Sequence, residues 1–544
     1  MNAITAPLRE LAEFEEGQAL LKKERACIGF TGCVDSQKLH MAYGLSDGFR
    51  YKIIVTFSDL KAREIYEDYQ FYDRDVTLYP AKDLIFYQAD IHGNQLVTDR
   101  MKALRKIIEG KPLTVITTFA ALMSPQVPLE EIAASVIHID GDSRLDEGSL
   151  ARSLTQMGYE KNYQVDAPGQ FSIRGGIIDI FDLTEENPYR IELWGEEVES
   201  IRSFDLLSQR SVEKLANVDI YPATEMMLSG QQKEEGLRKI EKEAKAFAGK
   251  LQESFQTEEA HRVRTQVKEL REQVQEFSQI TNLESYIRYF YEETVSFLKF
   301  FPVGETCVFI DEALRVKEHA SAVEMEFRES MGHRLEKGYI LPGQADLLYG
   351  FEETAGFLQN LRCVLLSSMD SKNALLKPQK KFDVNVKGMS SYNSSFEALV
   401  SDLKRYKKNG FRVLLLSGSR TRAKRLAEDL QEQGLSSFYS EDGDREVKSG
   451  EVMLYYGHVK RGFEYPLLKF VVITESDIFG SQQKKKQKKK KFEGQKINDF
   501  AEQKIGDYVV HESHGLGLYQ GIEKVEVDKV VQDYIKHSYR AGGH

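Results

Sequence analysis

The chain has few cysteines and no long apolar run. Its 544 residues include four cysteines, none of them in a C-x-x-C pair, which argues against a disulfide framework and a structural zinc site. No apolar run reaches the roughly 20 residues of a membrane span, and the first residues lack a charged-then-apolar signal pattern. The net charge of −11 argues against a dedicated nucleic-acid binder but leaves a local basic patch open. We therefore expect a cytoplasmic protein of several domains without membrane contact.

A lysine is missing from the segment "IGFTGCVDSQKLHMAYGL", which otherwise has features of a phosphate-binding loop. A working loop needs G-x-x-x-x-G-K-[ST] between a strand and a helix, so that backbone N–H groups and the lysine bind phosphates and the hydroxyl holds Mg²⁺. Gly29 and Gly32 stand where such a loop begins, and Ser36 occupies the hydroxyl position. Val34 replaces the second glycine, however, and Asp35 replaces the lysine. The Asp35 carboxylate would repel a triphosphate.

A second nucleotide-site feature lies far downstream in "CVFIDEAL", an apolar strand that ends in Asp311 and Glu312. Such a strand is typical of the Walker B segment that holds Mg²⁺. An ordinary strand followed by a helix start explains the pattern as well. Without the loop lysine, neither segment should bind nucleotide tightly. We therefore predict a nucleotide-binding-type fold that does not hydrolyse ATP, with no catalytic residue, cofactor or metal.

Strand and helix patterns alternate along the chain and predict an α/β multidomain protein. We expect a degenerate P-loop-type α/β domain with an inserted small α+β domain, a second α/β domain and a partial small β-barrel. The Walker-B-like strand should rejoin the first sheet. The predicted segments are the first part of the P-loop-type domain (1–125), the small α+β domain (126–215), a helical arm with the second part of the P-loop-type domain (216–344), the second α/β domain (345–480), a lysine-rich linker (481–502) and the start of the barrel (503–544).

Seven lysines, Lys484–Lys486 and Lys488–Lys491, dominate the linker. Like charges repel and build no core, so the composition predicts a disordered segment. A tether attracted to nucleic-acid phosphates is the alternative. The last strands stop before a barrel would close, so we expect the sequence to be a piece of a longer protein.

Two segments resemble those shared by UvrB and the transcription-repair coupling factor (Mfd) family. They are "YQVDAPGQFSIRGGIIDIFDLTEENPYRIELWGEEVESIRSFDLLSQRS" and "LYPAKDLIFYQADIHGNQLVTDRMKAL". The degenerate phosphate loop and the lysine-rich stretch favour the coupling factors. So does "GDYVVHESHGLGLYQGIEKVEV", which is similar to the start of that family's RNA polymerase-interacting domain. The chain thus resembles the amino-terminal part of a coupling factor, with a UvrB-like domain around a UvrA-binding-like small domain.

The resemblance implies partners and a function. The family uses RNA polymerase stalled at a DNA lesion as its signal, displaces it with a carboxy-terminal translocase, and recruits UvrA through the UvrB-like module. The translocase motor is absent from this sequence. The expectation is therefore a non-catalytic adaptor that bridges UvrA and the RNA polymerase beta subunit. DNA contact is expected only through the missing motor or weakly through the Lys484–Lys491 run. The alternative is an enzyme, a UvrB-like ATP-dependent DNA-damage helicase subunit, which a nucleotide-binding assay would distinguish.

The strand "YRIELW" holds the candidate UvrA contacts. Strand alternation places Ile191 and Leu193 on one face and Arg190, Glu192 and Trp194 on the other. If the aliphatic face is buried, the only tryptophan of the chain points outward beside an arginine, and both residue types are enriched at interface hot spots. A buried tryptophan is equally compatible with the pattern.

The resemblance assigns the UvrA-binding surface to an arginine and an aromatic residue matching Arg190 and Trp194, and to an arginine matching Arg174. Arg202 and Arg210 are candidate rim charges. For RNA polymerase the candidate is the strand "IEKVEV", which could add to the edge of a partner sheet. Its candidate residues are Ile522, Val525 and Val527, of which Val525 matches an apolar family position. A plain half-buried strand shows the same alternation.

Overall fold

The computed structural model describes residues 2–82, 93–275, 283–371 and 375–480, and the backbone of strands within 508–539. They divide into two compact units, Met1–Gln482 and Gln483–His544. Among the described residues, no helix has both the length and the apolar character needed to cross a bilayer. The lysine run Lys484–Lys491 lies outside the described residues.

The strands are β1 (Cys27–Thr31), β2 (Tyr51–Thr56), β3 (Val76–Tyr79), β4 (Leu113–Thr118), β5 (Ile137–Asp140), β6 (Glu160–Lys161), β7 (Gln170–Arg174), β8 (Ile177–Ile180), β9 (Tyr189–Trp194), β10 (Glu197–Phe204), β11 (Ser211–Leu215), β12 (Asn217–Ile220), β13 (Thr306–Asp311), β14 (Arg362–Leu366), β15 (Lys380–Asp383), β16 (Lys387–Gly388), β17 (Arg412–Ser417), β18 (Phe438–Tyr439), β19 (Val452–Tyr456), β20 (Phe463–Tyr465), β21 (Phe470–Thr474), β22 (Tyr508–His511), β23 (Gly515–Val527) and β24 (Val530–Tyr539).

The helices are α1 (Asn2–Thr5), α2 (Ala12–Leu21), α3 (Asp35–Leu45), α4 (Asp59–Tyr69), α5 (Gly93–Ile108), α6 (Phe119–Leu122), α7 (Leu129–Ala134), α8 (Glu147–Gln156), α9 (Gly230–Glu253), α10 (Thr257–Gln275), α11 (Ile287–Phe290), α12 (Ala313–Glu336), α13 (Pro342–Ala345), α14 (Phe351–Leu358), α15 (Phe396–Lys408), α16 (Arg420–Glu432) and α17 (Glu475–Phe479). Short 3₁₀ turns occur at Ala6–Glu10, Leu283–Tyr286, Phe297–Phe300 and Val303–Glu305.

The first sheet has seven strands in the order β15-β1-β14-β13-β2-β4-β3, all paired in parallel. The Walker-B-like strand β13 lies between β14 and β2 and so rejoins the first sheet, as predicted. Every residue of β4 and β13 is buried. Such continuous apolar strands are typical of a parallel sheet covered by helices on both faces.

The small domain that interrupts this sheet in sequence contains a six-stranded sheet in the order β11-β10-β9-β8-β7-β6. Its strands pair antiparallel, except that β6 and β7 are parallel. Helix α8 packs against one face through Leu150 and Leu154, within a core that includes Phe171, Ile178 and Ile191. The predicted antiparallel hairpins are therefore present, and the other face of the sheet carries the charged side chains Asp179, Arg190 and Arg202 together with Trp194.

The first compact unit also contains a two-stranded antiparallel sheet of β5 and β12, and a further six-stranded sheet in the order β16-β20-β21-β17-β19-β18. Its strands β21, β17, β19 and β18 are parallel, whereas β16, β20 and β21 pair antiparallel, so the sheet is mixed. The helical arm consists of α9 and α10, which contact each other. The arm is therefore helical, as its sequence pattern predicted. The range predicted as a second α/β domain, 345–480, is divided in the structure, because β14 and β15 pair with β1 in the first sheet and only the later strands form the mixed sheet.

Strands β22, β23 and β24 form an open three-stranded antiparallel sheet. The sequence pattern predicted a partial barrel at this place. No barrel is present among the described strands, because three strands are too few to close one.

A fully buried arginine connects the first sheet to the segment that leaves the small domain. Arg100 on α5 donates from Nε to Glu225 Oε1 (2.6 Å) and from Nη1 to the Pro80 carbonyl (2.7 Å). Its Nη2 donates to Gln126 Oε1 (2.9 Å), and Lys82 Nζ also contacts Glu225 (3.1 Å). Burial alone would raise the pKa of Glu225, but Arg100 and Lys82 outweigh that effect and lower it to about 2. Both charges are therefore held in ionised form inside the protein.

A buried histidine lies where α3 meets α1 and the mixed sheet. His40 Nε2 lies 2.7 Å from the Ile4 carbonyl oxygen, which fixes that nitrogen as the donor. Its Nδ1 therefore accepts from Tyr465 Oη (3.0 Å), which in turn accepts from Gln37 Nε2 (2.8 Å). The Phe463 ring stacks on the imidazole at 5.1 Å. Burial lowers the pKa of His40 to about 4, although the Ile4 carbonyl opposes the shift.

We expect His40 to make the folded chain less stable as the pH falls from about 6.5 to about 4. Between these pH values His40 becomes protonated in the unfolded chain but stays neutral in the folded chain. The contribution of His40 to the free energy of unfolding is therefore fully present above the unfolded pKa and decreases by about 3 kcal/mol towards pH 4. Urea titrations of the parent and the His40→Gln variant at several pH values check this. The difference in unfolding free energy between the two should shrink with falling pH, and a constant difference would contradict the prediction.

Candidate functional site

The loop at the phosphate-binding position is shorter than the sequence pattern indicated. Strand β1 continues through Gly29 to Thr31, so Gly29 lies inside the strand. Only Gly32, Cys33 and Val34 separate β1 from α3. Gly32 has a φ of +77°, and a Cβ atom there would lie 2.2 Å from the Val384 carbonyl oxygen. Glycine is therefore required at this position by the close approach of the chain after β15.

Two of the three N–H groups of this loop have acceptors within the protein. Cys33 N donates to the Ser367 carbonyl (3.2 Å), and Val34 N donates to Gln37 Oε1 (3.1 Å). In a working phosphate loop these N–H groups point at the phosphates. The loop is therefore closed by protein acceptors, in addition to lacking its lysine.

A lysine that the sequence interpretation overlooked forms ion pairs with both carboxylates of the acidic pair. Lys38 lies three residues after Asp35 on α3, and its Nζ lies 2.9 Å from Asp311 Oδ1 and also contacts Glu312 Oε1. Asp311 Oδ2 accepts from Thr56 Oγ1 at 2.9 Å. Asp311 is 273 residues away in sequence, which is why local spacing did not indicate the contact. The one signal in the sequence for this contact was a lysine about one helical turn after Asp35.

The electrostatics of this cluster favour the charged forms of Lys38 and Glu312. Burial alone would lower the pKa of Lys38, but Asp311 and Glu312 outweigh it and raise that pKa. Burial alone would raise the pKa of Glu312, yet Lys38 and a hydrogen bond from Ser368 lower it. The ammonium group of Lys38 thus takes the place beside the acidic pair where a working site would hold Mg²⁺.

A segment before β20 covers the same end of α3. Arg461 N donates to Ser36 Oγ (3.2 Å), and Lys460 N donates to Asp68 Oδ1 (2.9 Å). Ser36 Oγ itself donates to Asp68 Oδ2 (2.9 Å), so the hydroxyl at the Mg²⁺ position is engaged. The remaining cavity has a volume of about 180 Å³. That is below the roughly 300–1,000 Å³ of typical ligand pockets.

The second candidate site is the polar face of the six-stranded sheet. Ile191 is fully buried and Trp194 is 80% exposed, so the predicted alternation of β9 is confirmed. Leu193 packs at the margin of the core, while Arg190 and Glu192 lie with Trp194 on the outer face. The only tryptophan of the chain therefore points into solvent.

Arg190 is part of an ion-pair cluster and is largely buried. Its Nε and Nη2 donate to Asp179 Oδ1 (2.7 Å) and Oδ2 (2.8 Å), and its guanidinium carbon lies 4.2 Å from the centre of the Phe204 ring. Arg174 on β7 donates to the same carboxylate at 3.0 Å. Hydrogen bonding to Asp179 raises the pKa of Arg190. The two arginines assigned from the sequence therefore meet at one carboxylate that the sequence interpretation did not identify.

The two candidate rim arginines differ in their surroundings. Arg202 on β10 is paired with Glu192 on β9, and both side chains are 30% exposed. Arg210 lies in the turn before β11, where its carbonyl accepts from Asp205 N (3.0 Å), and it is exposed. Of these two arginines, only Arg202 therefore forms an ion pair between neighbouring strands on the sheet face.

The candidate polymerase-contacting residues all lie on β23. Ile522, Val525 and Val527 pair in register with Ile535, Gln532 and Val530 of β24. Strand β22 pairs only with the first residues of β23, up to Leu518. Beyond that point, among the described strands, β23 has a partner along one edge alone.

Comparison with known proteins gives two family matches. Residues 137–226 match the model of the UvrB interaction domain, and residues 504–543 match that of the CarD-like/TRCF RID domain. The chain is 32% identical over 491 residues to the transcription-repair-coupling factor of Bacillus subtilis (strain 168), which covers 90% of the chain and 41% of that relative. It is 27% identical over 552 residues to that of Staphylococcus aureus (strain Mu50 / ATCC 700699), covering 99% of the chain and 46% of the relative. The chain therefore spans less than half the length of these relatives.

Proposed function

Because this chain is a relative of the amino-terminal part of the transcription-repair-coupling factors, we propose that it is an adaptor that brings UvrA to RNA polymerase stalled at DNA lesions. The proposal is carried by one observation. Inside the region that matches a UvrB interaction domain, the outer sheet face carries a tryptophan that is 80% exposed and, on the same face, an arginine cluster. Exposed tryptophan and arginine are the residue types that dominate interface energies.

We assign the UvrA contact to Trp194, Arg174 and Arg190, with Arg202 and Arg210 at its rim. The residues have different exposures and hence different roles. Trp194 supplies apolar area, whereas Arg174, at 35% side-chain exposure, and Arg190, at 14%, supply N–H donors at the centre of the face. The more exposed charges at the rim should contribute mainly to the association rate.

The polymerase contact is assigned to β23, with Ile522, Val525 and Val527 as its candidate residues and the beta subunit as the partner. Two observations support this. The strand lies in the region that matches the CarD-like/TRCF RID domain, and part of it has a described partner on one edge only. An edge of this kind can extend a partner sheet through backbone hydrogen bonds.

The adaptor needs no ATP hydrolysis by this chain. The N–H groups of Cys33 and Val34, the acidic pair and Ser36 are bonded to other groups of the protein. Nucleotide would have to displace Lys38 and the Lys460–Arg461 segment together. These contacts favour the adaptor over a UvrB-like ATP-dependent helicase subunit.

Trp194→Ala should weaken the binding of purified UvrA by about 2 kcal/mol, roughly 30-fold in Kd. Calorimetric titration of the parent and variant chains measures the change. Because the side chain is 80% exposed, the substitution should leave the unfolding free energy unchanged. Arg190→Ala is a poorer test, since it would remove two hydrogen bonds from the buried Asp179.

The matched control is Leu467→Ala, which removes an apolar side chain of similar exposure (74%) before β21. It should bind UvrA like the parent. Equal weakening by both variants would contradict the assignment to Trp194. Absence of UvrA binding by the parent chain would overturn the adaptor function itself.

A further inference from the structure

Two arginines from different strands share one buried carboxylate at the centre of the outer sheet face. Asp179 on β8 has only 2% of its side chain exposed and lies directly opposite Arg190 on β9. Arg190 bonds both carboxylate oxygens, and Arg174 on β7 donates to Oδ2. Asp179 therefore fixes the two guanidinium groups relative to each other across three strands.

Further contacts restrict Arg190. Its Nη2 also donates to Gln209 Oε1 (3.1 Å), and the ring of Phe204 lies against its guanidinium group. Asp179 and Gln209 together engage Nε and Nη2. In the described part of the chain, Nη1 of Arg190 and both Nε and Nη1 of Arg174 are left without a hydrogen-bond acceptor. The cluster therefore holds these N–H donors in a fixed geometry in which they can bind acceptors on a partner.

The charge of the cluster indicates what it would bind. Two guanidinium groups face one carboxylate, which leaves one positive charge in excess. The neighbouring pair of Arg202 and Glu192 is neutral. Guanidinium groups bind carboxylates through paired N–H donors, so an acidic surface complements this face.

We propose that Asp179 is a positioning residue for UvrA binding, which holds Arg174 and Arg190 so that their remaining N–H groups meet carboxylates on the partner. The inference rests on the proposed function. Long side chains lose rotamer freedom when a partner immobilises them, and a chain that has already ordered them binds more tightly. Asp179 itself would not touch UvrA.

The test is a double-mutant cycle measured by titration with purified UvrA. Asp179→Asn keeps the size of the side chain but removes its charge, and should weaken binding about tenfold. In an Arg174→Gln, Arg190→Gln background the same substitution should have no further effect, because the groups it positions are gone. In a Trp194→Ala background its tenfold effect should persist. Asp219→Asn makes the same chemical change on β12, outside the six-stranded sheet; it is the matched control and should change Kd less than twofold.

Each outcome of these titrations either supports or overturns the positioning role of Asp179. Parent-like binding by Asp179→Asn overturns the positioning role and leaves the adaptor function intact. An undiminished loss in the arginine-free background also overturns it, since Asp179 would then act on the domain as a whole. If Asp179→Asn fails to fold, Gln209→Ala replaces it in the cycle, and it should weaken binding only where Arg190 is present. Absence of UvrA binding by the parent overturns the proposed function and this inference with it.

Discussion

Replacing Lys38 by methionine should lower the unfolding free energy of the chain by about 3–5 kcal/mol. The Lys38 and Asp311 side chains are less than a tenth exposed, and that of Glu312 is 17% exposed. Without the ammonium group, two carboxylates would remain close together in the interior with no counter-charge. Methionine preserves the apolar stem, so the effect reports the charge. Urea titration followed by circular dichroism measures it.

Two further variants separate the loss of the Lys38 charge from a non-specific loss of stability. Lys460→Met removes another lysine of the same cavity, but its partner Glu64 and its own side chain are 34% and 53% exposed. Such a pair is worth about 0–1 kcal/mol, so the loss should be small. Combining Lys38→Met with Asp311→Asn and Glu312→Gln should recover most of the stability. A triple variant as unstable as Lys38→Met alone would refute the electrostatic explanation.

A comparable loss of about 3–5 kcal/mol is expected for Arg100→Met. Arg100 is fully buried. Among the described residues, the substitution would leave Glu225 with Lys82 as its one cationic partner, and it would remove donors from Gln126 and the Pro80 carbonyl. Because these groups connect α5 to the exit of the small domain, the loss should affect the attachment of that domain. Hydrogen exchange of β3 and β4 should accelerate along with the shift of the urea transition.

The control for this prediction lies on the same helix. Lys102 is exposed, and Lys102→Met should change stability by less than about 0.5 kcal/mol. Adding Glu225→Gln to Arg100→Met should recover part of the loss, because the uncompensated carboxylate is then neutral. An Arg100→Met variant as stable as Lys102→Met would contradict the prediction, because it would show that the Glu225 carboxylate is stabilised without Arg100.

Local patterns predicted the features that depend on neighbouring residues. The alternation of "YRIELW" placed Ile191 inside and Trp194 outside, and the apolar run before Asp311 predicted a strand of the first sheet. The helical arm followed from the same kind of pattern. Each of these depends on side-chain periodicity within about ten residues, which the sequence displays directly.

Contacts between distant segments were not predictable in this way. The partner of Lys38 is 273 residues away, and Ser36 bonds Arg461 across 425 residues. Arg190 was expected as a contact residue, yet its hydrogen bonds to Asp179 depend on strand pairing that the sequence does not display. The position of Gly29 was misjudged for a related reason, since spacing alone does not show where a strand ends.

The order of strands in the first sheet has a consequence for the synthesis of the protein. Strand β1 pairs with β14 on one side and β15 on the other, and Asp383 of β15 follows Thr31 by 352 residues. At about 5–20 residues per second, a ribosome needs roughly 20–70 s to make that stretch. During this time both edges of β1 lack their native partners, and unpaired edges invite association between chains. The nascent chain should therefore depend on chaperones until residue 383 has left the ribosome.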